Sequence, residues 1–164
     1  MQTLKEALSL TAADAAQQLR TSPQLPLYVQ QLNALLDAER EKRAHFYEEM
    51  TEDEKVEFIN GEVIVHSPVR LRHTATSRRL LTMLDVYVHK HHLGILGYEK
   101  TLITLTRNDY EPDIVYFGPQ KAQELTPDQT KFPAPDFVIE VLSPSTEDTD
   151  RGIKFLDYAA HGVK

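Results

Sequence analysis

Residues 136–142 read DFVIEVL, and this run reads as a β-strand. Branched and aromatic residues fill it, and Ser143-Pro144 stops it. Glu140 stands among Phe137, Val138, Ile139, Val141 and Leu142, a setting expected to be buried on both faces. An ionised carboxylate is costly to bury unless a cation or hydrogen-bond donors compensate it. Glu140 is therefore expected to be paired, protonated or bound to metal. Upstream, EPDIVYF (residues 111–117) makes a second apolar strand that Asp113 enters directly after Pro112. Carboxylates on two neighbouring short strands can converge on one hard cation such as Mg²⁺. The competing reading is that each hydrogen-bonds a nearby loop.

Outward from these strands, VEFINGEVIVHSP (residues 56–68) alternates about Asn60-Gly61. Asn-Gly suits a type I′ turn, which needs positive φ at both central residues, so the segment predicts a hairpin. Residues 70–92 contain no Gly or Pro and space Leu80, Leu81, Leu84 and Val88 as a helix, with Gly94 at its end. Strands are predicted over 95–105 and 110–117, a loop over 118–135, and a last helix over 149–161 closed by Gly162. Hairpin, helix, three strands and helix suit an α/β (α+β) fold with a mixed sheet flanked by helices.

The first 47 residues read differently, as an N-terminal helical arm. Leu4, Ala7, Leu8 and Leu10 open an amphipathic start, and AADAAQQLR continues it. After Pro23 and Pro26 a second helix is expected to about Tyr47, with Val29, Leu32, Leu35, Leu36 and Phe46 at helical spacing. The arm is expected to pack on its own domain or on a second subunit, and residues 48–164 to form the main domain.

Composition bounds the rest. The chain has 164 residues, 41% hydrophobic and 26% charged, which fits ordinary globular usage rather than disorder. With no cysteine, disulfides and cysteine-ligated zinc are excluded, and a cytoplasmic location is expected. No apolar run approaches a membrane span, and residues 1–20 lack the hydrophobic centre of a signal peptide. The formal charge of −7 argues against a large counterion-releasing DNA footprint. Arg70, Arg72, Arg78 and Arg79 are the basic cluster that could follow a phosphate backbone, and a solvated helix face explains them equally well. His89, His91 and His92 have no partner to complete a zinc site and suit the negative end of a helix dipole.

FINGEVIVHSP, the helix around His73, EPDIVYF, APDFVIEVLSPST and DRGIKFLDYAAHGV follow one another in this order. In that combination, from about Phe46 onward, the chain resembles the Uma-type restriction endonucleases, a branch of the PD-(D/E)XK nuclease superfamily. The resemblance implies Mg²⁺-assisted phosphodiester hydrolysis, with Mn²⁺ able to substitute. It makes Asp113 and Glu140 the catalytic, metal-holding carboxylates, and Glu62 a third candidate ligand. The Lys of the superfamily motif is replaced by Leu142. The resemblance puts Lys154 in its role, although a helical wheel places Lys154 with Asp150, Asp157 and His161 on what reads as a solvated face. His73 and Arg72 become candidate substrate contacts, Glu57 a weaker carboxylate candidate. The implied partners are nucleic acid, DNA first, and a second copy of the chain in a homodimer. Relatives continue into a further strand, so the domain is expected to lack its last strand at Lys164. The alternative is a catalytically idle nuclease fold acting as a dimeric binding or assembly module; a hydrolase of small phosphate esters is a third reading.

Overall fold

The computed structural model describes residues 12–51 and 53–164, so the expected amphipathic start at Leu4 to Leu10 lies outside the described residues. The chain divides into two compact units, Met1–Lys42 and Arg43–Lys164. Helix α1 spans Ala12–Thr21 and helix α2 spans Leu25–Glu49, with Pro26 in its first turn, where a missing N–H costs no helical bond. The apolar positions read on α2 are exposed at Val29, Leu32 and Leu35, by 46 to 50%, while Phe46 is 4% exposed.

In the second unit, β1 (Val56–Ile59) and β2 (Glu62–Val65) form the predicted hairpin. Asn60 and Gly61 turn it with φ of 51° and 82°, and the register pairs Ile59 with Glu62 and Glu57 with Ile64. Helix α3 (Leu71–Lys90) follows. The chain leaves it through His92 and Gly94, at φ of 52° and 120°. A Cβ on Gly94 would stand 2.1 Å from the Phe117 carbonyl oxygen, so glycine alone fits there.

Two predicted strands are each broken. Residues 95–105 divide into β3 (Ile95–Tyr98) and β4 (Leu102–Thr104), and 110–117 into β5 (Asp109–Tyr110) and β6 (Ile114–Phe117). The first break falls where Glu99 and Lys100 take φ of 43° and 32°; the second falls at Pro112, which has no N–H for a ladder. Both segments thereby leave one sheet for another. A five-stranded sheet runs β2-β1-β5-β4-β7, where β7 is Lys131–Phe132, and a three-stranded sheet runs β3-β6-β8, where β8 is Phe137–Ile139. Among the described residues, only β4 and β7 pair in parallel, so the five-stranded sheet is mixed as expected. The expected loop 118–135 contains β7 and a four-residue helix, α4 (Pro119–Ala122). The last helical segment begins at α5 (Glu147–Thr149), widens through a π turn over Asp150–Lys154 and ends in α6 (Phe155–Ala160).

The core lies beside the sheets. Ile103, Leu105, Tyr110, Val115, Phe117 and Tyr158 form one buried cluster, and Phe46, Val56, Phe58 and Leu102 another. Full burial of each such side chain contributes about 1.5–3 kcal/mol. The Arg43 guanidinium reaches Asp109, which has no exposure, at 2.6 and 2.7 Å, and also donates to the Leu105 carbonyl at 2.8 Å. The run 136–142 is less enclosed than its composition suggests. As the edge of the smaller sheet, it leaves Phe137 and Leu142 each 41% exposed.

Candidate active site

The hairpin register decides which residues face the site. Pairing Ile59 with Glu62 and Glu57 with Ile64 extends to Lys55 and His66, because the His66 N–H donates to the Lys55 carbonyl at 3.0 Å. Side chains alternate across a strand, so Lys55, Glu57, Ile59, Glu62, Ile64 and His66 share one face. All of them line a cleft of about 800 Å³. Its other walls come from the start of α3, the segment after β8 and the π turn.

Asp113 stands where β5 and β6 part, and 5% of its side chain is exposed. The Val141 N–H donates to its Oδ2 at 2.7 Å, and His73 Nε2 lies 3.2 Å from the same oxygen. Lys55 Nζ is 3.6 Å from Oδ1. His73 Nδ1 is buried without a hydrogen-bond partner. The bond from Val141 ties Asp113 to the residue that follows Glu140, which explains how two separate strands bring both carboxylates to one cleft.

Glu140 has 14% of its side chain exposed, and its Oε1 accepts from Lys154 Nζ at 3.2 Å and from the Tyr158 hydroxyl at 3.3 Å. Burial raises its carboxyl; Lys154 pulls it down, but Asp150, Glu57 and Asp113 push it up again, to about 7. Glu57 goes the other way. Burial alone would raise it, yet the hydrogen bond from His66 and the charge of Lys154 hold it near 2.

Lys154 corrects the helical-wheel reading of a solvated face. It is 2% exposed and its ammonium sits 2.8 Å from Glu57 Oε1, 3.2 Å from Glu140 Oε1 and 3.2 Å from Asp150 Oδ1. The Asp150 contact is an ion contact, since that oxygen makes no hydrogen bond. Burial opposes the charge on Lys154, but Glu140, Glu57 and Asp150 outweigh it and raise the ammonium pKa. Conversely, Phe155 and Leu156 are 63% and 68% exposed. The polar side of this helix faces inward because Glu57 and Glu140, from two other segments, meet the Lys154 ammonium there. A kink at Gly152, with ψ of −105°, interrupts the regular helix on which the wheel was drawn.

Among the described residues, no three His, Asp or Glu side chains converge closely enough to hold an ion by themselves. Glu62 and Arg72 line the cleft with exposed side chains. A divalent cation nevertheless fits the donor set. Leaving aside the exposed Glu62, Arg70 and Arg72, the enclosed carboxylates Glu57, Asp113, Glu140 and Asp150 outnumber the enclosed cations Lys55 and Lys154 in the cleft, and the repulsion felt by Glu140 is what a cation would relieve. Mg²⁺ commonly takes one or two carboxylates and fills its remaining positions with water and phosphate oxygens. Sequence reasoning missed His66 and Lys55 and gave Glu57 and Asp150 too little weight. The signal for three of them was the hairpin register, which sets residues 55, 57 and 66 on one face.

Residues 43–164 match the family model Uma2, described as a putative restriction endonuclease. Among solved structures, the chain is similar to a putative nuclease of the DUF820 family from Anabaena variabilis. The TM-score is 0.63 and identity 21%, over 72% of this chain and 67% of that one. At that identity the likeness shows the fold. A search of curated proteins finds no match. Among the described residues, no helix is long and apolar enough to cross a membrane.

Proposed function

We propose that this chain, which belongs to the Uma2 restriction endonuclease family, is a metal-dependent endonuclease that hydrolyses phosphodiester bonds in DNA. The observation that carries the reading is the convergence of Asp113, Glu140 and the buried Lys154 on one cleft. Asp113 and Glu140 would hold Mg²⁺, or Mn²⁺ in its place. When bound, such an ion polarises the phosphate and lowers the pKa of an attacking water.

The protein's own groups then have separate tasks. The Val141 N–H and His73 keep the Asp113 carboxylate oriented. Lys154, held as a cation by its carboxylate neighbours, stabilises negative charge developing on the phosphate. Arg72, exposed on the cleft wall, contacts a neighbouring phosphate of the strand.

The test is cleavage of labelled single- and double-stranded DNA in Mg²⁺ or Mn²⁺. The full chain is expected to cut, and Asp113→Ala and Glu140→Ala each to lose cutting by a factor of ~10³ or more, as expected when a catalytic ion is lost. Activity retained in both variants, or undiminished in EDTA, would overturn the assignment.

A further inference from the structure

The nearest partner of Lys154, Glu57, is itself held by other groups. Glu57, with no exposure, is engaged at both oxygens. Its Oε1 lies 2.8 Å from Lys154 Nζ and accepts the Glu111 N–H at 2.9 Å; its Oε2 is 2.9 Å from His66 Nε2. The terminal torsion of a Glu has a broad, shallow preference, so contact at one oxygen leaves the carboxylate free to turn. Contact at both oxygens fixes its plane. His66 supplies the contact at Oε2 from just past the end of β2. It stands two residues past Ile64, the partner of Glu57, and hence diagonally across from Glu57 on the same face.

The His66 side chain is 17% exposed and lines the cleft. The resulting chain of contacts runs from His66 to Glu57, to Lys154, to Glu140. Lys154 reaches Glu57 more closely than it reaches Glu140 or Asp150. Glu57 is thus its nearest anchor, and the anchor is steadied by His66. The low pKa of Glu57 agrees: against burial, the hydrogen bond from His66 and the charge of Lys154 hold it down.

We propose that His66 is a positioning residue: by holding Glu57 through Oε2, it sets the place of the Lys154 ammonium beside Glu140. The inference rests on the nuclease reading for its effect on rate, but not for its effect on Lys154 itself. His66→Ala removes the donor, whereas His66→Gln offers a neutral N–H at similar reach. Should His66→Ala fail to fold, His66→Leu removes the donor while keeping volume.

Two readouts are taken on the full chain: kcat and KM for DNA cleavage, and the ¹⁵N resonance of the Lys154 ammonium. Removing the donor is expected to lower kcat about 10–100-fold, as for other supporting contacts around catalytic centres, with KM little changed. The Lys154 resonance should shift, and Gln should restore both. A Lys154 resonance unmoved by loss of the donor, or a Gln variant as impaired as the donorless one, would overturn the proposal. If the unsubstituted protein cuts nothing, the nuclease reading falls, and the Lys154 resonance still decides the role of His66.

Discussion

Glu140→Gln is expected to stabilise the metal-free protein at pH 8 and to leave its stability nearly unchanged below pH 4.5. The Glu140 side chain is 14% exposed. Burial, reinforced by Asp150, Glu57 and Asp113 against the pull of Lys154, lifts its carboxyl from 4.5 to about 7. In the unfolded chain the same group titrates at its ordinary value. The folded protein therefore binds the proton more tightly across that interval. The stability linked to Glu140 is full below about 4.5 and is lost as pH rises through about 7. At about 1.4 kcal/mol per pH unit, the loss amounts to about 3 kcal/mol at pH 8. Gln keeps the side-chain shape and an acceptor for Lys154 and Tyr158, and carries no charge. We expect a gain of about 1–3 kcal/mol, or about 2–10 °C in Tm for a chain of this size. Urea unfolding in EDTA at pH 4.5 and pH 8 reads it directly. A Gln variant no more stable than its parent at pH 8 would show instead that Lys154 fully compensates an ionised Glu140.

Other substitutions probe different parts of the account. Lys154→Met should destabilise by about 3–5 kcal/mol at pH 8, because it leaves buried carboxylates without their cation; chemical denaturation would show an unchanged midpoint if the ammonium were dispensable. Arg43→Met should cost a similar ~3–5 kcal/mol by stranding Asp109, which has no exposure. The check is whether Asp109→Asn in the same background recovers part of the loss. Gly94→Ala should lower stability by about 2 kcal/mol or more, given the 2.1 Å approach to the Phe117 carbonyl; a Tm equal to the parent's would show that the backbone relaxes there.

The elements that sequence reveals well are those whose signal is local. Asn60-Gly61 specified the turn and thereby the register of the hairpin, and Gly94 marked the end of α3 because no other residue fits against Phe117. Carboxylates in apolar strands announced Asp113 and Glu140, since burial of such groups needs a reason. Where the outcome depended on partners distant in sequence, local pattern misled. Lys154 and Asp150 read as solvated because a helical wheel cannot know that Glu57 and Glu140 wait on its polar side. The breaks at Glu99-Lys100 and Pro112 were hidden within apolar runs, although Pro112 was a warning. His66 went unnoticed for the same reason: its partner Glu57 is reached across the hairpin rather than along the chain.

The proposed nuclease activity requires one cation shared by Asp113 and Glu140. Mn²⁺ binding to the full chain, followed by electron paramagnetic resonance, tests this most directly against Asp113→Ala and Glu140→Ala. A bound Mn²⁺ signal is expected in the unsubstituted protein, displaced by Mg²⁺ and lost in each variant. No binding by the unsubstituted protein, or binding that survives both substitutions, would contradict it.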